Sequence, residues 1–209
     1  MDKKTILVLA PHTDDGEIGC GATLARFIEE GCDVHYVAFS SCEESVPDGY
    51  PSDILRKEVR KATKALGIPK SNLQVLDYKV RRFGESRQAI LEDLIRLGRT
   101  LSPDIVFLPS SFDIHQDHKT IYQEGVRAFK NTCLLGYEFM WNNFSFASSA
   151  LVKLDENHVY KKIEAINCYE SQSGRFYASS QLIKGQANFR GLQISTEFAE
   201  AFEVIRWII

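Results

Sequence analysis

The chain has 209 residues, with 25 lysines and arginines against 28 aspartates and glutamates, and its formal net charge is −3. This near balance, without any block of basic residues, argues against a protein that binds nucleic acid or an anionic membrane surface. Hydrophobic residues make up 44% of the chain and charged residues 25%, a composition that argues against bulk disorder and indicates a globular fold.

Strands and helices are predicted to alternate through the first half of the chain. The strands are short apolar runs, and the helices show apolar residues at spacings of three and four. Predicted strands cover residues 5–10, 34–39, 73–76 and 104–109, and predicted helices cover residues 21–30, 52–66 and 86–101. This alternation is typical of an α/β fold, a Rossmann-like, mostly parallel sheet flanked by helices.

The pattern is less regular in the C-terminal third. Strands are predicted at residues 133–139 and 150–154 and helices at 158–172 and 179–190, while residues 202–208 are either a closing strand or the end of a helix. This part contains no linker-like, repeated or low-complexity segment. We therefore expect a single domain over residues 1–209.

Cysteine usage and hydropathy indicate the compartment. The five cysteines are widely spaced and odd in number, which favours reduced thiols over a disulfide framework. The apolar run before Pro11 is too short for a signal peptide. No run approaches the roughly 18 apolar residues of a membrane-spanning helix. The sequence thus predicts a cytoplasmic protein without a membrane partner.

Histidines and aspartates follow the first and the fourth predicted strand. The first loop contains His12, Asp14 and Asp15, and the second contains His115 and His118. Ligands of open α/β sheets bind beyond the carboxyl ends of the strands, so both loops are expected at one site. A catalytic zinc ion takes three such ligands, here His12, one of the two aspartates, and either His118 or His115. The other aspartate would be free to act as a general base, and iron, manganese or cobalt suits the same donors.

Simpler interpretations compete with this one. A His-x-x-His pair by itself is a weak indication of a metal, and an Asp-Asp pair after a strand is also typical of a helix N-cap. Clusters after two strands of one sheet favour the metal site. Elsewhere, Lys79, Arg81 and Arg82 are interpreted as a solvated basic face, and the aromatic residues 141–146 as core or an oligomer contact.

Two motifs resemble those of a known family. Residues 11–21, PHTDDGEIGCG, are similar to the pattern A-H-P-D-D-x-E-x-G-x-G, and residues 115–118, HQDH, match H-x-D-H. Both patterns belong to the LmbE-like (PIG-L) zinc-dependent N-acetylglucosaminyl deacetylases. The resemblance implies a hydrolase that removes the N-acetyl group from an N-acetylated amino sugar or its conjugate. It also implies a small-molecule amino-sugar substrate and a homo-oligomer, since members of the family often form one.

The resemblance further implies a metal site and a base. Zn²⁺, or alternatively Fe²⁺ or another divalent metal, would be bound by His12, Asp15 and His118. Asp14 would act as the general base on the metal-bound water.

Three other residues take roles from the same resemblance. His115 would assist the oxyanion and then protonate the departing amine, and Asp117 would orient His115 through a hydrogen bond. The family has an arginine three residues before the glutamate of its second helix, but this chain has Leu55 there. The adjacent Arg56 is therefore the candidate substrate-binding residue.

A second class of function is a non-catalytic signalling domain of the receiver type. Asp14 and Asp15 follow the first predicted strand and Asp77 follows the third, as such a domain requires. This hypothesis leaves three histidines without a role and lacks the lysine expected after a late strand. A third possibility is a metalloprotein that binds its ligand without turning it over.

Overall fold

A computed structural model describes residues 3–209 of the chain. The strands are β1 (Thr5–Ala10), β2 (Asp33–Ala38), β3 (Leu73–Val75), β4 (Ile105–Pro109), β5 (Cys133–Tyr137), β6 (Ala150–Leu154) and β7 (Phe198–Arg206). The α-helices are α1 (Asp15–Glu29), α2 (Ile54–Leu66), α3 (Arg87–Leu101), α4 (Gln116–Ala128), α5 (Glu156–Asn167) and α6 (Ser180–Leu192). Within this part of the chain, no helix is both long and apolar enough to cross a membrane.

The strands form one sheet in the order β3-β2-β1-β4-β5-β7-β6. Strands β1 to β5 pair in parallel, and β7 pairs antiparallel with both β5 and β6. The predicted Rossmann-like, mostly parallel sheet flanked by helices is confirmed. The strand order reverses between β1 and β4, the place where open α/β sheets bind ligands.

Alternate residues of β1 face opposite sides of the sheet, as the period of two in a strand requires. Ile6 and Val8 belong to a buried cluster that includes residues of α1, α2 and α5. Leu7 and Leu9 belong to a second cluster, with residues of α3 and α4. Because β1 is buried on both faces, its sequence is a continuous apolar run rather than an alternating one.

Helix α1 begins at Asp15, six residues before the predicted start at residue 21. Its glycines lower helix propensity, but packing requires them, since a Cβ on Gly19 would lie 2.5 Å from Cδ2 of Tyr137. The helix is kinked at Cys20, whose φ is −146°. After the kink, the buried Glu200 carboxylate accepts hydrogen bonds from the amides of Ala22 (3.3 Å) and Thr23 (2.7 Å). Tertiary contacts therefore stabilise a helix that local propensity disfavours.

Other elements also differ from the prediction. Helix α4 was not predicted, because its first turn contains the HQDH motif and was interpreted as part of a loop. Helix α5 ends at Asn167 rather than at residue 172, and β7 begins at Phe198, which settles the open choice for residues 202–208 as a strand. All five cysteines are free.

Candidate active site

The site lies where β1 and β4 end side by side. These strands pair in parallel, with Ile6 opposite Ile105 and Val8 opposite Phe107. The loop after β1 therefore leaves the sheet next to the loop after β4. His12 follows two residues after β1, and His115 is the N-cap of α4.

Three side-chain atoms from these loops form a nearly equilateral triangle. His12 Nδ1 lies 3.0 Å from Asp15 Oδ2, His118 Nε2 lies 3.2 Å from the same oxygen, and the two ring nitrogens are 3.3 Å apart. Ligands bound at about 2.0–2.2 Å to a tetrahedral zinc ion are separated from one another by about 3.3 Å. The His–His–Asp cluster can therefore bind a divalent metal ion.

His115 is the third histidine at the site. Ring nitrogens of His12, His115 and His118 lie within 4.8 Å of one another. The sequence left His115 and His118 as alternative ligands, and the triangle with Asp15 is formed by His118. His115 Nδ1 instead accepts a hydrogen bond from the main-chain N–H of Asp117 at 3.2 Å.

Each histidine of the triangle has a carboxylate on its other ring nitrogen. Asp117 Oδ2 lies 3.0 Å from His12 Nε2, and Asp113 Oδ2 lies 2.6 Å from His118 Nδ1. Both aspartates are fully buried. Such partners fix the tautomer that presents a lone pair to a metal, and they orient the ring. Asp113 was not predicted as a site residue. Its position in the same loop as His118 could have indicated that its carboxylate contacts the site.

The expected contact between Asp117 and His115 takes a different form. The Asp117 carboxylate lies on His12, and its oxygens also accept from the amides of Arg81 (2.6 Å) and Phe83 (3.2 Å). Only the Asp117 amide reaches His115. The side chain points away from His115 because the first turn of α4 directs it toward the loop before α3.

The titration behaviour of the cluster follows from burial and its internal charges. Burial lowers the pKa of His118, but Asp15 and Asp113 raise it by more, to about 9. Burial raises the pKa of Asp15, but His118 and His12 lower it by more, so it stays below its ordinary value. Burial and the two neighbouring imidazoles lower the pKa of His115 to about 4. His115 is thus uncharged at neutral pH.

Asp14 occupies the N-cap position of α1, yet its side chain makes no capping hydrogen bond. The N-cap interpretation of this aspartate is therefore wrong for its carboxylate, which lines the cavity instead. Burial and the neighbouring Asp15 raise the pKa of Asp14 to about 6. A carboxylate with that pKa is ionised at neutral pH and is still basic enough to accept a proton.

Two tyrosines hold the turn that carries these residues. The carbonyl oxygen of Thr13 accepts hydrogen bonds from the hydroxyls of Tyr36 (2.9 Å) and Tyr169 (2.6 Å). Both hydroxyls also contact the buried carboxyl group of Glu17. Burial raises the pKa of Glu17 to about 8, so this group is protonated at neutral pH.

The cluster lines a cavity of about 220 Å³. Part of the wall comes from the C-terminal third of the chain, namely Trp141, Asn142, Gln172, Arg175 and Tyr177. The rings of Trp141 and Tyr177 stack with centroids 4.4 Å apart. These residues were missed as site residues because they are distant in sequence and form no motif. Trp141 both lines the cavity and is partly exposed to solvent.

Arg56 is not among the residues that line the cavity. Its guanidinium group pairs with Asp77, and its Nε lies 3.5 Å from Glu43 Oε1. Leu55 lines the cavity in its place, because successive helix side chains point in different directions. The structure therefore does not support Arg56 as a substrate-binding residue. Asp77 is exposed and lies outside the cavity. It therefore does not form the acidic site with Asp14 and Asp15 that a receiver domain requires.

The basic run 79–82 is likewise only partly a solvated face. Arg81 lines the cavity, whereas its neighbour Arg82 does not. The main chain of Arg81 has a φ of +66°, in the left-handed region. Its N–H donates to Asp117, which explains why this conformation is held.

Comparison with known proteins places these loops in a family context. The family model described as PIG-L: GlcNAc-PI de-N-acetylase matches residues 7–129, a segment that contains both His/Asp loops. The uncharacterized deacetylase YaiS of Escherichia coli is 30% identical over 173 residues, covering 81% of this chain and 92% of that protein.

The chain is also similar to a second deacetylase sequence and to a solved structure. The diacetylchitobiose deacetylase of Thermococcus kodakarensis is 27% identical over 135 residues, covering 61% of this chain and 49% of that protein. The conserved protein TT1542 of Thermus thermophilus has the same fold, with a TM-score of 0.80 and 28% identity over 98% of this chain and 95% of that one.

Proposed function

The chain belongs to the PIG-L family of de-N-acetylases, and we propose that it is a metal-dependent hydrolase that removes the acetyl group from an N-acetylated amino sugar or its conjugate. The observation that carries the proposal is the triangle of donor atoms on His12, Asp15 and His118, together with Asp14, which lines the same cavity. The sugar class is supported by the description of the family and by the diacetylchitobiose deacetylase among the relatives.

His12, Asp15 and His118 would hold the metal. Two imidazole nitrogens and one carboxylate oxygen suit zinc, and Fe²⁺ or another divalent metal suits the same donors. When bound, such an ion lowers the pKa of water and polarises the amide carbonyl. Asp117 and Asp113 act as positioning residues, because they orient the rings of His12 and His118.

Asp14 acts as the general base. Its carboxylate makes no capping bond and has a pKa raised to about 6 by burial and by Asp15, so at neutral pH it can take a proton from the attacking water. The water oxygen forms a bond to the acetyl carbon, and the C–N bond then breaks. The protonated Asp14 carboxyl returns its proton to the departing nitrogen, which leaves acetic acid and a primary amine. The acid then loses its remaining proton to solvent and becomes acetate.

His115 stabilises the oxyanion. Its Nδ1 accepts the Asp117 amide, so the neutral ring carries its proton on Nε2 and can donate a hydrogen bond to the carbonyl oxygen as negative charge develops. With its pKa lowered to about 4, His115 is almost entirely neutral at pH 7, so very little imidazolium is present to donate a proton. We therefore assign protonation of the amine to Asp14 instead of His115.

The test is release of acetate and a primary amine from N-acetylglucosamine and its glycosides by zinc-loaded protein. Asp14→Asn should retain the metal and lose turnover by roughly 10²-fold or more. The matched control is Asp48→Asn, which changes an exposed aspartate outside the cavity and should behave like the wild type. No acetate from a broad panel of N-acetylated sugars, with metal content verified, would refute the proposal.

A further inference from the structure

Part of the cavity wall comes from a segment with little regular structure. Residues 171–178 lie between α5 and α6 and form only short 3₁₀ turns. Gln172, Arg175 and Tyr177 of this segment line the cavity. The hydrogen bonds between its main-chain groups are local, such as the one from the Arg175 amide to the Gln172 carbonyl oxygen at 2.9 Å. Local bonds of this kind fix the shape of the segment but not its position against the rest of the fold.

Ser171 ties the segment to helix α2. Its main-chain N–H donates to Oε1 of Glu58 at 2.9 Å, and its hydroxyl donates to Oε2 of the same residue at 2.6 Å. Among residues 3–209, these two bonds are the hydrogen bonds that connect residues 171–178 to parts of the chain outside residues 169–183. The position of this part of the wall therefore depends on one side chain of α2.

The Glu58 carboxyl group depends equally on Ser171. Its side chain is buried, with 1% of the residue exposed. In the described part of the chain, no lysine, arginine or histidine nitrogen lies within 4.0 Å of its oxygens, in contrast to the buried Glu124, which pairs with Arg87 and Arg127. A buried carboxyl group without a cation needs hydrogen bonds, and Ser171 supplies one to each oxygen.

The contact continues from Ser171 to the cavity. Because Ser171 Oγ donates its single proton to Glu58, it is left as an acceptor, and Gln172 Nε2 donates to it at 3.1 Å. Gln172 Oε1 in turn accepts from Arg175 Nε at 3.1 Å. A continuous chain of hydrogen bonds thus runs from a buried carboxyl group in α2 to the side chains that line the cavity.

Glu58 itself is not among the residues that line the cavity. Leu55, three residues earlier on the same face of α2, does line it, so Glu58 lies directly behind the cavity surface. None of its hydrogen bonds within residues 3–209 goes to the donor triangle. Any effect of Glu58 on a substrate must therefore pass through the wall segment.

We propose that Glu58 is a positioning residue for substrate binding, because it holds Ser171 and thereby places Gln172 and Tyr177 at the cavity surface. This inference rests on the proposed function and assigns part of the binding of the sugar to a wall outside the donor triangle. Loss of the Glu58–Ser171 contact should weaken binding of the ground state and the transition state alike. Such a change raises KM and leaves kcat unaltered.

The position of the wall can be measured without a substrate. The chain has two tryptophans, so Trp207→Phe leaves Trp141 as the only one, and the Trp141 ring stacks on Tyr177 at 4.4 Å. In this background, Glu58→Gln places an amide donor against the donors of Ser171, and Ser171→Ala removes the hydroxyl. Both substitutions should displace Tyr177 and increase the quenching of Trp141 fluorescence by acrylamide.

Two matched controls come from the same part of the chain. Glu170→Gln and Ser173→Ala make the same chemical changes at exposed residues on either side of the contact. Neither residue has a hydrogen bond from its side chain among residues 3–209. Both variants should show the quenching of the Trp207→Phe parent protein.

Turnover of the methyl glycoside of N-acetylglucosamine by zinc-loaded protein measures the consequence for the substrate. Glu58→Gln and Ser171→Ala should each raise KM by roughly fivefold to tenfold, as the loss of one hydrogen bond would. The kcat and the zinc content should stay at the values of the wild type. The double substitution should raise KM no further than one substitution alone, because both remove the same contact.

Unchanged quenching or unchanged KM in the two variants, additive effects in the double variant, or a loss of kcat or zinc in place of the rise in KM overturns the inference. Ser171→Ala removes only one hydroxyl, so it keeps the test decisive even where Glu58→Gln does not fold. No acetate from any N-acetylated sugar, with metal content verified, refutes the deacetylase proposal instead. The quenching measurements then still decide whether Glu58 positions the wall.

Discussion

His12 Nε2 and the Asp117 carboxylate lie 3.0 Å apart, although 105 positions separate the two residues in the chain. An ionised carboxylate is an acceptor only, so the ring carries a proton on Nε2, and Nδ1 is the nitrogen whose lone pair would face a cation bound at the donor triangle. Asp113 imposes the opposite tautomer on His118, which presents Nε2. The two carboxylates therefore prepare two different ring nitrogens for one cation.

Asp117→Asn should weaken zinc binding by about 10–100-fold, because the amide cannot replace the charged acceptor of His12. Competition with a chromogenic chelator measures the affinity, and Asp48→Asn serves as the control. An affinity equal to that of the wild type would show that the Asp117 carboxylate does not tune the site.

The ligand set predicts different outcomes for neighbouring histidines. His118→Ala removes one atom of the triangle and should yield protein with little bound metal after dialysis, whereas His115→Ala should retain about one equivalent. Elemental analysis of both variants, purified in parallel, decides whether His118 or His115 is the third metal ligand. Metal loss in His115→Ala alone would exchange the roles of the two residues.

Deacetylation should depend on pH through Asp14. A general base works only when ionised, so log kcat/KM should rise with pH up to about 6, the pKa of Asp14, and then level off. The profile must be recorded with bound metal measured at each pH, since protons also compete for the histidine ligands. A flat profile from pH 5 to 7 at constant metal content would contradict the assignment of the base.

Glu17 should make the folded state less stable as the pH rises. Burial raises its pKa from the ordinary 4.5 to about 8, so between these values the folded chain retains a proton that the unfolded chain has lost. This contribution to stability is complete below pH 4.5 and is lost as the pH rises to about 8. Urea unfolding at pH 5 and pH 8, at equal metal content, should show a smaller pH effect in Glu17→Gln than in the wild type. Equal pH effects would mean that Glu17 titrates normally.

Two helical glycines should respond oppositely to alanine. A Cβ on Gly19 meets the ring of Tyr137 at 2.5 Å, so Gly19→Ala should destabilise the protein by about 1–3 kcal/mol. A Cβ on Gly185 in α6 has no atom within 4 Å, so Gly185→Ala should stabilise it by about 0.5–1 kcal/mol. Urea unfolding of the two variants provides the comparison, and a stable Gly19→Ala protein would show that α1 can move away from β5.

Local patterns account for the elements that the sequence predicted well. The apolar run at residues 5–10 coincides with β1, because burial on both faces leaves no room for polar residues. The predicted helix boundaries were wrong where tertiary contacts outweigh helix propensity. Helix α1 begins at Asp15 despite its glycines, because these glycines admit the rings of Tyr36 and Tyr137.

The sequence by itself predicted the mostly parallel sheet and the residue types of the candidate site, since the histidines and aspartates lie in two short motifs that each follow a predicted strand. It also indicated that they meet, because parallel strands end at one edge of a sheet. Only the tertiary structure decided which atoms form the triangle, that the Asp117 carboxylate contacts His12 instead of His115, and that Arg81 and Arg175 line the cavity while Arg56 does not. These relationships depend on side-chain directions and on contacts between distant segments, which leave no periodic signal in the chain.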